Sequence, residues 1–260
     1  HGPSPRREAL LAALNGVLGD YLVASHNPLA IPMRLRQQGR PLELDRQALA
    51  TRFADSSGKL LVLVHGLCMN DLEWQREGHD HGASLAQDLG YTPLYLHYNS
   101  GQHISTNGQE FAALLERLIQ AWPVPVSELV IVGHSMGGLV SRSAGYYAKQ
   151  ADHAWLRHLK KLICLGTPHH GTWLARFARA PNGRQMRRAS PWLQTLSAGE
   201  PPGLATRFTC WYSNCDNIVF PASTATLKGA DNRLAPGVGH VELTANQEVM
   251  DFCLDLIRAS

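Results

Sequence analysis

The chain has 260 residues, of which 44% are hydrophobic, and its 24 basic and 21 acidic residues give a net charge of +3. This length and composition predict a single globular domain over residues 1–260 that needs no stabilising disulfide or metal. The nearly balanced charge argues against a nucleic-acid partner. No apolar run reaches the roughly 18 residues of a membrane-spanning helix. We expect a soluble chain and favour the cytoplasm, while the absence of an initiator Met leaves a trimmed leader or tag open.

The N-terminal part of the chain is predicted to form a helix followed by extended segments. Residues 5–24 carry an apolar stripe at helical spacing. Its members are Leu10, Leu14, Val17, Leu18 and Tyr21. A stretch rich in Pro and Gly follows, and a short helix is predicted near residues 48–53.

From residue 59 onward, apolar strands alternate with amphipathic helices. The predicted strands cover residues 60–64, 92–97, 129–132, 161–165 and 208–212, and the predicted helices cover residues 82–89, 108–122, 139–150 and 244–258. Strands that are apolar along their whole length indicate a sheet covered on both faces. We therefore predict an α/β fold with a doubly wound, mostly parallel sheet, whose chemistry lies at the carboxyl ends of the strands.

A serine flanked by glycines follows the apolar run at residues 129–132. In the motif GHSMGG, Ser135 lies between Gly133 and Gly137. A direct passage from strand to helix needs a sharp turn, and only small residues two positions away from its apex let the backbones approach. This pattern is the G-x-S-x-G nucleophile elbow, which presents the serine hydroxyl at the end of a strand. A plain structural turn is the alternative. The choice between the two interpretations depends on whether the sequence also offers a base and an acid for Ser135.

Five motifs in a fixed order make the chain resemble the α/β-hydrolase family, and within it the bacterial lipases and esterases. The motifs are VHGL at residues 64–67, GHSMGG at 133–138, LGTPHHGT at 165–172, DNIVFP at 216–221 and GVGH at 237–240. The resemblance covers residues 59–260 and leaves residues 1–58 outside. It implies the α/β-hydrolase fold and a triad in the chain order serine, acid, histidine. Such a triad requires no cofactor and no metal.

The resemblance also implies which residues activate the serine. A serine hydroxyl is a poor nucleophile until a base takes its proton, and His240 matches the histidine of the family. Asp216 matches the acid that fixes the tautomer of this histidine. Asp231 is closer to His240 along the chain and stays as the competing acid, although residues 229–233 predict a solvated turn.

Two backbone N–H groups are expected to stabilise the oxyanion of the tetrahedral intermediate. One belongs to Met136, directly after the nucleophile, and the other, by resemblance, to Leu67. Cys68 lies beside this loop and is expected to be a packed thiol, since nothing in the sequence places a base against it.

The remaining histidines and cysteines are interpreted as structural. His134 is expected to point away from the apex of the elbow, and His169 and His170 to lie in a structural loop. The cysteines lack a C-x-x-C pair, so neither a zinc site nor a disulfide framework is indicated, although a bridge between Cys210 and Cys215 stays open. Three cysteines fall in apolar segments and are predicted to lie in the core: Cys164, Cys210 and Cys253.

Residues 171–203 carry aromatic and arginine side chains on opposite faces of two short helical pieces, where the family has its lid. We expect this segment to roof an acyl pocket through Trp173, Phe177 and Trp192, and to allow contact with an anionic lipid interface. A crossover helix with a solvated basic face is the structural alternative.

The sequence therefore predicts a serine carboxylester hydrolase that cleaves acyl esters through an acyl-enzyme on Ser135. A thioesterase or an acyltransferase would use the same triad, because the acyl-enzyme dictates neither the leaving group nor the attacking nucleophile. A hydrolase fold that serves only as a binding protein is the alternative of another class. Fold alone does not determine the substrate.

Overall fold

A computed structural model describes residues 4–76, 79–171, 181–186, 190–199, 204, 207–212, 222–238, 240 and 258. The helices are α1 (Pro5–Ala24), α2 (Arg46–Arg52), α3 (His81–Leu89), α4 (Ile104–Ala121), α5 (Met136–Gln150), α6 (Trp155–His158), α7 (Pro181–Gln185) and α8 (Pro191–Gly199). The strands are β1 (Arg34–Gln37), β2 (Arg40–Pro41), β3 (Lys59–Val64), β4 (Gln75–Arg76), β5 (His79–Asp80), β6 (Thr92–His97), β7 (Glu128–His134), β8 (Leu159–Leu165), β9 (Phe208–Tyr212) and β10 (Asp231–Leu234).

Eight of the described strands form one sheet in the order β10-β9-β8-β7-β3-β6-β1-β2. Neighbouring strands from β10 to β6 run parallel to each other. At the other edge, β1 runs antiparallel to β6 and β2 runs antiparallel to β1. The carboxyl ends of the parallel strands therefore meet at one edge of the sheet, which is where ligands bind in open α/β sheets.

Helices and aromatic side chains cover both faces of this sheet. On one face, alternate residues of β3, such as Leu60 and Val62, pack in a large core with buried residues of α4 and α5. On the other face, Leu61 and Leu63 pack in a second cluster around Trp74. Burial on both sides explains why the strand sequences are apolar throughout. The predicted doubly wound, mostly parallel α/β fold is confirmed.

The largest differences from the sequence prediction lie at the two edges of the sheet. The solvated turn predicted for residues 229–233 is wrong, because Asp231–Leu234 forms a strand parallel to β9. Its alternating exposure shows an edge strand, which can carry polar residues because only one face is buried. The extended chain near residue 35 also joins the sheet, as β1. The final helix predicted for residues 244–258 lies outside the described residues, apart from Arg258.

Within the described part of the chain, no helix is long and apolar enough to cross a membrane.

Candidate active site

Ser135 occupies a strained turn between β7 and α5. Its backbone dihedral angles are φ 53° and ψ −123°, a region that residues with a side chain rarely adopt. Its N–H donates to the carbonyl of Leu165 at 2.8 Å, and its own carbonyl accepts from the N–H of Gly138 at 3.1 Å. These two backbone hydrogen bonds tie the turn to the neighbouring strand β8 and to the first turn of α5. The hydroxyl is thereby held at the carboxyl end of a central strand.

The glycines of the motif are required by the close packing around this turn. A Cβ on Gly133 would lie 2.7 Å from the backbone nitrogen of Gly138. A Cβ on Gly137 would collide with the carbonyl oxygen of Val64, at the end of β3. Both distances are too short for any side chain, so the elbow can form only with glycine at these positions. This is the steric reason that the sequence pattern predicted.

The structure brings His240 against Ser135. The imidazole Nε2 of His240 lies 2.9 Å from the hydroxyl oxygen of Ser135, although 105 positions separate the two residues. His240 is almost fully buried, whereas Ser135 keeps partial exposure. The pair has the geometry in which a histidine can remove the proton of a serine hydroxyl.

A second histidine, His134, contacts His240, which the sequence did not indicate. The Nε2–H of His134 donates to the backbone carbonyl of His240 at 2.9 Å, and the two rings are 4.9 Å apart between centroids. His134 therefore supports the main chain of His240, although its side chain does not reach the hydroxyl of Ser135 in this contact. A single sequence gives no signal for this interaction, because it joins β7 to a distant loop.

The loop after β3 lies directly beside Ser135. A Cβ on Gly66 would lie 3.2 Å from the Cβ of Ser135, so the backbone of this loop borders the serine. His65 shapes the turn: its Nδ1–H donates to the carbonyl of Gly66 at 2.9 Å, and its ring stacks on Tyr98 with 4.3 Å between centroids. Burial lowers the pKa of His65 to about 4, so the ring is neutral at neutral pH.

Of the two residues predicted to supply oxyanion donors, Met136 follows Ser135 directly in the chain, and Leu67 belongs to the loop beside it. Met136 is the first residue of α5 and is fully buried, and Leu67 follows Gly66 in the loop beside Ser135. The N-terminus of a helix carries unpaired N–H groups and a positive partial charge, both suited to an oxyanion. Their role as donors stays a prediction.

An ion-pair cluster anchors the far end of the same loop. Nη1 of Arg36 lies 2.9 Å from Glu8 Oε2, and Nε of Arg36 lies 3.3 Å from Asp71 Oδ2. Nη1 also donates to Nδ1 of His97 at 2.9 Å, which keeps that ring neutral, and burial together with the charge of Arg36 lowers the pKa of His97 to about 2. Burial raises the pKa of Asp71 to about 6 despite the nearby cation. Contacts between such distant positions give no signal in a single sequence.

Of the two candidate acids, the structure describes only Asp231. Asp216 lies outside the described residues. Asp231 lies on β10, where its carboxylate accepts from Nε of Arg233 at 2.9 Å, and its side chain is 40% exposed. An exposed carboxylate in a local ion pair is a poor match for an acid that must orient a buried histidine. Asp216 therefore stays our predicted acid.

Cys164, His169 and Cys210 form a buried cluster whose possible metal-ligating atoms lie within 4.8 Å of one another. Nη1 of Arg142, which can only donate, lies 3.2 Å from Nδ1 of His169. The proton of the neutral ring therefore sits on Nε2, which donates to Sγ of Cys210 at 3.3 Å and offers no lone pair to a metal. We interpret this cluster as a hydrogen-bonded part of the core, in which Cys210 is a free thiol.

The predicted lid is described only in part. Trp173 and Phe177 lie outside the described residues. Trp192 lies on α8 and packs, partly buried, against the main hydrophobic core. On α7, Asn182 donates to the carbonyl of Ser100 at 2.8 Å. The described parts of this segment therefore rest on the body of the protein.

Comparisons with known proteins agree with this architecture. The family model of the PGAP1-like alpha/beta domain matches residues 55–179, which include β3, the elbow and β8. No curated protein sequence matches the chain.

Several solved structures have a similar fold. The mature Bacillus licheniformis lipase BlEst2 is 17% identical, with 87% of this chain and 98% of the lipase covered and a TM-score of 0.64. Aspergillus fumigatus lipase B is 18% identical, with 79% of this chain but only 54% of the lipase covered and a TM-score of 0.62. A Listeria innocua protein, the lin2722 gene product, is 14% identical, with 78% and 94% covered and a TM-score of 0.57.

The chain has the α/β-hydrolase fold, and its architecture is similar to that of solved lipases. Because all three identities are low, these comparisons establish the fold and leave the reaction to be argued from the site.

Proposed function

We propose that the protein is a serine hydrolase that cleaves carboxylic esters. The observation that carries this proposal is the 2.9 Å contact between Nε2 of His240 and the hydroxyl of Ser135 at a strained strand–helix turn. Holding a non-glycine residue in this backbone conformation costs on the order of 1–3 kcal/mol, so a plain turn would not be expected to retain it. A nucleophile elbow explains the strain, the two tightly packed glycines and the histidine together.

In the proposed reaction, Nε2 of His240 takes the proton of Ser135 as the hydroxyl oxygen attacks the ester carbonyl. The N–H groups of Leu67 and Met136 stabilise the oxyanion, and the imidazolium returns its proton to the leaving alcohol. Water, activated by the same histidine, then releases the acid from the acyl-enzyme. We assign Asp216 to orient His240, with Asp231 as the competing assignment.

The solved structures similar to this chain include lipases, and a lipase-like acyl pocket is part of the proposal. We propose that residues 171–203 roof this pocket, with Trp173, Phe177 and Trp192 toward the acyl chain. Each methylene that leaves water contributes about 0.8 kcal/mol, so a roofed pocket should favour longer acyl chains.

The proposal is tested by the hydrolysis of p-nitrophenyl esters from acetate to palmitate. We expect activity in the intact chain and its loss in Ser135→Ala. A fluorophosphonate should label the chain once, at Ser135, because the activated hydroxyl attacks phosphorus as it attacks a carbonyl. Matched thioesters and added alcohols distinguish a thioesterase or an acyltransferase, and labelling at another residue would remove Ser135 from the mechanism.

A further inference from the structure

The loop that carries Leu67 is held by hydrogen bonds to residues that follow β6. The hydroxyl of Tyr98 donates to the carbonyl of His65 at 2.6 Å. The hydroxyl oxygen of Ser100 accepts from the N–H of Cys68 at 3.0 Å. Tyr98 and Ser100 are each only 1% exposed, so both bonds form away from bulk water. The loop is therefore held on both sides of Leu67.

The direction of the Leu67 N–H is set by the peptide that joins Leu67 to Gly66. The carbonyl of Gly66 accepts from Nδ1 of His65 at 2.9 Å and from the N–H of Met69 at 3.3 Å. In a trans peptide the C=O and N–H bonds point in opposite directions. The two donors therefore turn the N–H of Leu67 away from themselves. Within the described part of the chain, this N–H has no hydrogen-bond acceptor.

Cys68, the next residue, is the strained point of this loop. Its φ is 60°, in the left-handed region that favours glycine. A residue with a side chain keeps such a conformation only where its surroundings hold it there. The bond from the N–H of Cys68 to Ser100 is a restraint of this kind. A change at Cys68 therefore acts directly on the neighbouring peptide of Leu67.

The backbone around Ser100 is itself fixed by three helices. The carbonyl of Ser100 accepts from Nδ2 of Asn182 on α7 at 2.8 Å. Nδ2 of Asn99 donates to the carbonyl of Gly19 on α1 at 3.1 Å. The carbonyl of Asn99 accepts from Nδ2 of Asn107 on α4 at 2.9 Å. Since all three asparagines are buried, the hydroxyl oxygen of Ser100 has a fixed position from which to restrain the loop.

We propose that Ser100 and Tyr98 are positioning residues for the oxyanion donor at Leu67. The inference rests on the proposed function, in which this N–H stabilises the tetrahedral intermediate. Ser100 acts through Cys68, and Tyr98 acts through His65. Together they keep the N–H of Leu67 directed at the place where the oxyanion forms. Because negative charge develops on that oxygen only during the attack, the two hydroxyls should affect kcat and leave KM unchanged.

The test compares Ser100→Ala with a matched control, Ser57→Ala. The hydroxyl oxygen of Ser57 accepts from the N–H of Lys59 at 3.2 Å, which is the same kind of bond at the opposite end of β3. With p-nitrophenyl butyrate, Ser100→Ala should lower kcat about tenfold to a hundredfold and keep KM within about twofold. Ser57→Ala should match the unmodified chain in both constants.

Inhibition by a trifluoromethyl ketone gives a second readout. The hydroxyl oxygen of Ser135 bonds to the ketone carbon, its proton passes to His240, and the carbonyl electron pair becomes an oxyanion. This adduct resembles the tetrahedral intermediate. Its inhibition constant should therefore rise in Ser100→Ala by the same factor as kcat/KM falls. A loss of packing alone would lower the free energy of unfolding without this proportionality.

Tyr98→Phe covers the case in which Ser100→Ala does not fold. This variant keeps the aromatic ring and removes only the donor to the carbonyl of His65, and it should show the same losses of kcat and of ketone affinity. The proposal is overturned by a folded variant with an unchanged kcat. It is also overturned by a lower kcat with an unchanged inhibition constant.

Ser135→Ala separates this proposal from the proposed function. If Ser135→Ala abolishes hydrolysis while Ser100→Ala and Tyr98→Phe behave as the unmodified chain does, the positioning role fails and the proposed function stands. Hydrolysis that persists in Ser135→Ala, or that is absent from the unmodified chain, would overturn the proposed function and this inference with it.

Discussion

The Nε2–H of His134 donates to the backbone carbonyl of His240 at 2.9 Å. The residue that precedes the candidate nucleophile thus supports the main chain of the candidate base. If this bond positions the imidazole, His134→Ala should lower kcat by about tenfold to a hundredfold, through misplacement of His240. His134→Gln retains an N–H donor and should keep most of the activity. The two variants are compared by their rates of fluorophosphonate labelling at equal thermal stability, and equal losses would contradict a positioning role.

The proposed triad predicts strongly non-additive losses. Ser135→Ala and His240→Ala should each lower kcat on the order of 10³–10⁶-fold, and the double variant should lose little more. Asp216→Asn should be impaired, whereas Asp231→Asn should be close to unchanged because its carboxylate pairs locally with Arg233. Steady-state hydrolysis of p-nitrophenyl butyrate measures all five variants. The reverse order of the two aspartate variants would transfer the acid role to Asp231.

Two glycines of α5 offer a matched pair for testing the packing of the elbow. Gly137→Ala forces a Cβ against the carbonyl oxygens of Val64 and His65, the second at 2.7 Å, and a backbone cannot move aside cheaply. We expect a loss of at least about 2 kcal/mol in the free energy of unfolding. Among the described residues, a Cβ on Gly145 would meet only a methyl group of Leu204, at 3.0 Å. Since Ala gains up to about 1 kcal/mol of helix propensity, Gly145→Ala should be nearly neutral. Urea unfolding compares the two, and similar losses in both would contradict the argument.

The buried cluster around Arg36 predicts that acid destabilises the protein. The pKa of His65 is lowered to about 4 and that of His97 to about 2, so below pH 6.5 these rings take protons mainly in the unfolded chain. The pKa of Asp71 is raised to about 6, so this group takes its proton mainly in the folded chain and opposes the effect. The net difference between pH 6 and pH 4 approaches one proton in favour of the unfolded state. The unfolding free energy should therefore fall by roughly 1.4 kcal/mol per pH unit.

Urea midpoints at several pH values check this slope. His97→Asn should flatten it, and His26→Asn, on the surface, should leave it unchanged. Midpoints that stay constant between pH 6.5 and pH 4 would contradict the prediction.

The periodicity of apolar residues correctly predicted several helices and strands. Pro5–Ala24, Thr92–His97 and Phe208–Tyr212 have the bounds that periodicity indicated. Periodicity shows which residues share a face but not which face meets the core, so the outward turn of the apolar stripe on α1, where Leu10 is 73% exposed, was not predicted. The strand at Asp231–Leu234 was missed because an edge strand can be polar.

The sequence likewise predicted the local features of the candidate site but not its contacts between distant segments. The glycines around Ser135 could be interpreted from the sequence because their role is a local steric one. The proximity of His240 was expected only through the order of motifs in a known family. The bond from His134 and the ion pairs of Arg36 join segments that the chain separates widely, and no spacing rule encodes such contacts.

The pairing of β1 with β6 limits how far the chain can be shortened. A fragment beginning at residue 55, where the family match starts, would lack β1 and would turn β6 into an edge with unpaired backbone groups. Such an edge is a template for aggregation. The same cut would remove Arg36 and leave the buried carboxyl of Asp71 without its cation. We therefore expect the residues that precede the family match to belong to the same folding unit, and a chain trimmed to residue 55 should be recovered from inclusion bodies.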